Sequence, residues 1–219
     1  MTCSVGFADE KPKQTTQSKG LGLRSGLNVG SNPLDLIQRI SVQKELKLND
    51  EQTFQVREAF KTNKGKKLKL KDLQNLSKEA RAKALEQHRA ADYVRQKKLE
   101  ALILQIVDKS QANRLRQLVV QRRGVAVFNE QSFAANLGLN AEQQASVSDL
   151  FLVYNTTRKN FFRDLGKYKP TERRRKAAEF LKSEADRENK LYTNLLAVLN
   201  AEQLKKFQQL RGAPFNFGK

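Results

Sequence analysis

The chain has no tryptophan, one cysteine (Cys3), one histidine (His88), one methionine and four prolines in 219 residues. Each scarcity removes a class of function. A single cysteine cannot close an internal disulfide. One Cys and one His fall short of the about four ligands that a structural zinc site needs. A Cys–His dyad would have to use Cys3, in a segment without any regular period. No acidic cluster has calcium-loop or two-metal spacing. No glycine-rich phosphate loop follows a strand, and no nucleophile–base pair or pair of carboxylates stands in a recognisable setting. We therefore expect no enzyme, no cofactor and no metal. Long apolar runs are absent too: no segment approaches the ~18–20 residues of a membrane span. Acid is scarce against base, 23 Asp and Glu to 42 Lys and Arg, for a formal net charge of +19. That surplus favours an anionic partner, whether nucleic acid, anionic polymer or acidic protein, without choosing among them.

What is abundant is Leu, Ala, Gln, Lys, Arg and Glu, the good helix formers. Val, Ile and Thr are too scattered to suggest strands. An all-α fold follows. The first residues, "MTCSVGFADEKPKQTTQSKGLGLRSGLNVGSNP", show no helical period and are read as a disordered tail over residues 1–32. "CSVGFA" followed by "DEKPK" resembles the cut of an export signal after Ala8, although the basic start and apolar run that precede such a cut are missing here. Export would need a start upstream of Met1, placing the protein in the periplasm or outside the cell; without one, the segment is a cytoplasmic tail. Cys3 is too close to Met1 for a lipoprotein anchor.

The five letters "LNAEQ" occur at Leu139–Gln143 and again at Leu199–Gln203, and "LNDEQ" stands at Leu48–Gln52. With Asn49, Asn140 and Asn200 as N-caps, Gln52, Gln143 and Gln203 fall at the third helical residue. The Asn side chain can accept from a first-turn N–H and the Gln can reach back to the cap, which is a capping box. Leu48, Leu139 and Leu199 precede the caps, where a hydrophobic staple sits. "VDKSQ" at Val107–Gln111 is a fourth version with Asp108 as cap. These residues are structural.

Their spacing implies a tandem duplication. Leu46, Leu48, Gln52, Val56 and Phe60 match Leu137, Leu139, Gln143, Val147 and Phe151 at an offset of 91, and Val107, Gln111, Leu115 and Leu118 match Leu199, Gln203, Phe207 and Leu210 at 92. The expected architecture is an elongated helical bundle of two tandem helical-hairpin repeats, 33–123 and 124–219. Each unit holds a short helix, a capped helix, a basic loop, a long helix and a second capped helix. The long helices are expected over Ser77–Val107 and Thr171–Leu199. Their apolar stripes would be Ala80, Ala84, Ala91, Val94, Leu102 and Ile106, flanked by Leu85, Leu99 and Ile103, and then Ala177, Leu181, Ala185, Leu191, Leu195 and Val198. His88 lies beside the first stripe as a packing or surface residue. Gly124 and Gly212 would end helices, Gly124 in the left-handed conformation, and Asn129 could cap the next short one. Phe215 and Phe217 would fold back onto the core or stand out as a hook, with packing the reading for Phe215.

The charge concentrates at two tips, Lys61–Asp72 and Arg158–Lys176. The second interleaves Phe161, Phe162 and Tyr168 with its cations. Basic residues among aromatics could hold single-stranded nucleic acid by phosphate contact and stacking; equally, the Phe pair is core and the charges a solvated tip. No named nucleic-acid-binding motif is present.

A leucine, a capping residue, two variable residues and a glutamine, repeated on helices, resembles the LTxxQ motif of the periplasmic Spy/CpxP-type stress proteins, with Asn in place of Thr. "VQKELKLNDEQ", "NRLRQLVVQRRGVAVF", "ANLGLNAEQ" and "LLAVLNAEQLKKFQQLRGAPF", covering most of residues 35–215, also resemble a group of exported, duplicated helical bacterial proteins. The resemblance implies an ATP-independent chaperone whose helical cradle offers a basic, partly apolar surface to unfolding clients, as a monomer or dimer. Client contacts would then fall on Lys66, Lys67, Lys69, Arg173, Arg174 and Arg175, with Phe161 and Phe162 as apolar anchors. The alternative is a nucleic-acid or other polyanion-binding protein.

Overall fold

The computed structural model describes residues 32–65 and 68–218. The tail expected over residues 1–32, except Asn32, the export cut after Ala8, and the tip residues Lys66 and Lys67 lie outside the described residues. All regular structure among the described residues is helical: α1 Pro33–Ile37, α2 Ile40–Glu45, α3 Asp50–Thr62, α4 Leu70–Gln74, α5 Lys78–Ile106, α6 Lys109–Arg123, a 3-10 segment Gly124–Asn129, α7 Gln131–Leu137, α8 Ala141–Leu165, α9 Pro170–Ala197 and α10 Ala201–Arg211. Asn32 is already part of the fold, since its side chain caps α1 by accepting from Leu34 N–H at 3.1 Å.

The capping boxes start α3, α6, α8 and α10, each with both reciprocal hydrogen bonds. Asn49 Oδ1 accepts from Gln52 N–H at 2.8 Å while Gln52 Oε1 accepts from Asn49 N–H at 3.2 Å. The boxes then meet in pairs. Gln52 Nε2 donates to Gln111 Oε1 at 2.8 Å and to Ile106 O at 2.9 Å; Gln111 Nε2 donates back to Gln52 Oε1 at 3.1 Å and to Lys47 O at 3.4 Å. Gln143 and Gln203 repeat this at 2.7 and 2.9 Å, and add Val198 O and Gly138 O, each at 2.8 Å. Every donor and acceptor site of each amide is used. Four helix starts, two helix ends and two tight turns are thereby tied into two glutamine clasps, satisfying groups that helix termini leave without partners.

The turns feeding the clasps are alike in shape and unlike in residue. Gly138 ends α7 in the left-handed conformation (φ 73°, ψ 39°), with Leu139 N–H bonded to Ala134 O at 3.0 Å. Lys47 takes the matching place after α2 at φ 52°, with Leu48 N–H bonded to Gln43 O at 3.0 Å. The reversed backbone carries Leu48 and Leu139 toward the two cores.

Two apolar cores form. One gathers Leu36, Ile37, Val42, Val56, Leu99, Ile103, Leu115 and Leu118 from α1, α2, α3, α5 and α6. The other gathers Val127, Phe128, Phe133, Leu137, Val147, Phe151, Leu191, Leu195 and Phe207 from the 3-10 segment, α7, α8, α9 and α10. Helix α6 packs on α10 between them. The segment after α10 crosses back, so that Phe215 and Phe217 both pack against the first core.

Several expectations are corrected. The second basic segment is no loop: α8 runs to Leu165, and α9 begins at Pro170, which suits a first helical position because its missing N–H would have no partner there. Only residues 166–169 connect them. The first basic segment begins within the end of α3 and finishes in the short α4. Asn129 caps nothing; it closes the 3-10 segment, and Glu130 precedes α7 without a side-chain cap. Gly124 ends α6 at positive φ, but its ψ of −130° is not left-handed helical. The stripes also shift. Ala80, Ala91 and Val94 are exposed, as are Leu181 and Ala185, while the partner-facing lines run through His88, Asp92, Arg95 and Leu99 on α5 and through Phe180, Glu184, Arg187 and Leu191 on α9. Polar residues lie on the buried face, where a search for apolar periodicity does not see them.

Candidate binding surface at the hairpin tips

Helices α8 and α9 form an antiparallel hairpin whose facing residues change from apolar near the clasp to charged and aromatic toward the tip. Leu191 and Leu195 oppose Phe151 and Val147 in the core. Above them sits Glu184, 2% exposed. Its Oε1 accepts from the Tyr154 hydroxyl at 2.6 Å, its Oε2 accepts from Arg187 Nη2 at 2.6 Å, and Arg158 Nη1 lies 3.7 Å away. Burial works against the Glu184 charge, but the bonds from Tyr154 and Arg187 and the charges of Arg187 and Arg158 hold its carboxyl below the usual glutamate range. Burial, then the hydrogen bond to Glu184 and the charges of Glu184 and Glu188, push the Tyr154 hydroxyl far up, so it stays a donor. Glu188 is raised, first by burial and second by the Glu184 carboxylate.

Aromatic rings close the hairpin above this cluster. Phe161 stacks on Phe180 at 3.8 Å between centroids, Phe162 meets both rings edge-on at 5.4 and 5.6 Å, and the Arg187 guanidinium lies 3.6 Å from the Phe180 centroid. Lys176 sits 4.4 Å from the Tyr168 ring. On one side a shallow groove of about 420 Å³ is lined by Phe161, Asp164, Tyr168, Lys176, Phe180 and Ser183. Phe162 and Leu181 are the residues following Phe161 and Phe180. In an antiparallel pair, the residues after two facing positions turn to the same side. Phe162, 45% exposed, and Leu181, 51% exposed, therefore share the other side of the hairpin.

The expected contact residues fare differently. Phe161 is an anchor within the hairpin, whereas Phe162 is half in solvent. Arg173 is engaged inside the tip, donating to Gly166 O at 3.3 Å and Tyr168 O at 3.1 Å. Arg175 pairs with Glu179 at 2.9 Å. Arg174 is exposed and has no partner among the described residues. Lys69 is exposed ahead of α4, which makes no extensive contact with α8 or α9. Sequence reasoning placed Tyr154 and Arg158 at the second tip without an inward role, and passed over Phe180, Glu184, Arg187 and Glu188. A signal was present: Asp92 and Glu184, and Arg95 and Arg187, are each separated by 92 positions, the offset of the apolar matches. Arg81 and Arg173 share it, and Arg81 likewise donates to backbone carbonyls, those at the end of α4, Leu73 O at 3.2 Å and Gln74 O at 3.4 Å.

Among the described residues, no group of three or more His, Cys, Asp or Glu is placed to hold a metal ion, and no helix is long and apolar enough to cross a membrane. His88 lies half-buried 3.9 Å from Asp92. Compared with known proteins, the chain matches no family model, no curated protein and no solved structure.

Proposed function

We propose that the chain is a non-enzymatic, exported binding protein made of two tandem helical-hairpin repeats, 33–123 and 124–219, in an elongated bundle. It acts as an ATP-independent chaperone or envelope-stress protein of the Spy/CpxP type that its capping motifs resemble. The observation that carries the reading is the side of the α8–α9 tip where Phe162 and Leu181 stand exposed beside Arg158, with Arg174, which has no partner among the described residues, two turns before Leu181 on α9. Apolar side chains in a basic setting suit unfolding chains, which expose apolar residues and, when acidic, add charge attraction. Tyr93 and Val94 on α5, 63% and 68% exposed, extend apolar surface to the first half.

The test is light scattering of an unfolding client at near-physiological salt. The protein at a ratio near one to one is expected to suppress aggregation, and Phe162→Ser with Leu181→Ser to lose most of the effect while the fold is kept. No suppression by the unsubstituted protein would refute the reading. A second reading, a nucleic-acid or polyanion binder, is favoured by the net charge of +19. Its mark would be affinity for a single-stranded oligonucleotide that falls steeply with salt and weakens on Arg174→Ser.

A further inference from the structure

The segment after α10 is held as a bound peptide would be held. Gly212–Gly218 has no regular structure, and its side chains alternate: Phe215 and Phe217 are half-buried against the first core, while Pro214 and Asn216 are exposed. Its backbone is read by one buried side chain. Gln121, 6% exposed, donates through Nε2 to Arg211 O at 2.6 Å and Ala213 O at 2.8 Å, and accepts at Oε1 from Phe215 N–H at 2.9 Å. The Arg122 guanidinium lies 5.4 Å from the Phe217 centroid. The entry is fixed at Gly212, where φ is 64° and an added Cβ would lie 2.2 Å from Gln117 Oε1.

Hydrogen bonds from Gln121 to the main chain do not depend on the side chains of the segment. Specificity comes from the places taken by two rings spaced two residues apart. The same contacts are open to any extended segment that carries apolar rings at that spacing. We propose that the surface of α6 beneath the C-terminal segment is a site for extended peptide stretches with aromatic residues two apart, occupied in cis by the chain's own Phe215–Asn216–Phe217. The tail is thus a built-in competitor. A tethered occupant works at an effective concentration on the order of mM, so only a client presenting several such stretches, as an unfolded protein does, displaces it. This deepens the chaperone reading and rests on it for the source of the peptide.

The probe is a fluorescent peptide with the sequence of residues 213–218, Ala-Pro-Phe-Asn-Phe-Gly, followed by anisotropy against the full chain. The variant Phe215→Ser with Phe217→Ser weakens the cis occupant and should bind the probe about tenfold or more tighter than the unsubstituted chain, by raising the open fraction. A control peptide with both rings replaced by serine should not bind, and adding Gln121→Leu should abolish binding. Equal weak binding by variant and unsubstituted chain, or equal binding of the control peptide, overturns the proposal. If the double variant does not fold by circular dichroism, Gly212→Ala, which keeps both rings but strains the positive-φ entry to the segment, asks the same question. Light scattering on the same variants separates the two ideas. Probe binding without suppression of aggregation leaves the site and refutes the chaperone reading; suppression without probe binding refutes the site alone.

Discussion

The long helices of the two halves, α5 and α9, have 29 and 28 residues, but their partners differ: α3 has 13 residues and α8 has 25. Each long helix carries an acid and an arginine three residues apart, at matching places on its inner face. In the second half α8 continues past this level, so Glu184 is buried among Tyr154, Arg158 and Arg187, beneath a stack of phenylalanines. In the first half α3 ends at Thr62. Asp92 pairs with Arg95 at 3.1 Å, Arg95 Nη1 donates to Asn63 O at 3.3 Å, and both carry about a third of their exposure. The same pair of charges is a buried junction in one hairpin and a surface pair in the other. The length of the neighbouring helix decides which, because it decides whether water reaches the charges.

The strongest way to break this contrast is to remove the acid from each pair. Glu184→Gln should cost about 2–3 kcal/mol, since it leaves Arg187 and Arg158 close to a buried neutral group; the figure is set below that of a fully buried pair because both arginines are partly exposed. Asp92→Asn should cost less than about 1 kcal/mol. Denaturant unfolding of the two variants checks the ratio. The pH dependence has a definite sign. Glu184 titrates in the folded state below its ordinary value of about 4.5, so its contribution is complete above that value and is lost as pH falls through the depressed one. Glu188, shifted upward, has the opposite sign: it opposes folding at neutral pH, and acid relieves it. The gap between the unsubstituted chain and Glu184→Gln should therefore close in acid below pH 4.5.

The clasps offer a smaller contrast. Gln203 is buried at 8% exposure and Gln111 is half-buried. Gln203→Ala should cost about 2–3 kcal/mol, because Gly138 O and the Gln143 amide lose partners where water has little access, and Gln111→Ala about 1–2 kcal/mol. Thermal unfolding of both variants reports the difference. If the two losses prove equal, the clasps contribute only their local capping boxes, each worth about 1 kcal/mol.

The smallest effects should come from the matching turns. Lys47 adopts a left-handed backbone that costs a non-glycine residue about 1 kcal/mol, so Lys47→Gly should stabilise by up to about 1 kcal/mol after the entropy of the unfolded glycine is set against it. Gly138→Lys should destabilise by a similar amount. Its added Cβ meets nothing within 4 Å, so backbone strain alone would be measured. Midpoint shifts of opposite sign would show that the two turns are interchangeable.

Much of this molecule is legible in its sequence. The capping boxes depend on side chains reaching three residues along the chain, and three residues are visible in any sequence. Asn49, Asp108, Asn140 and Asn200 were therefore placed correctly, along with the helices they start and, within two residues, both ends of the long helices. The 91- and 92-residue offsets are visible in the sequence as matching residues in its two halves. The stripes were misread at Val94 and Leu181 because a hydrophobic period assumes that the inner face is apolar. Here that face carries Asp92, Arg95, Glu184 and Arg187, polar groups that pay for burial only through one another. In sequence Arg173 reads as a client contact because its acceptors, Gly166 O and Tyr168 O, are backbone groups that no side-chain pattern announces.

Sequence by itself determined the helical class and the helix starts, since propensity and capping act within a few residues. Tertiary structure decided which glutamines clasp, which charged pair is dry and where the last residues go. Those choices join positions 59 and 60 residues apart in the clasps and 90 to 94 apart between Gln121 and the C-terminal segment. At such distances no local preference operates. The contacts form because helix lengths and the close approach at Gly212 bring complementary donors, acceptors and rings together once the two cores have packed.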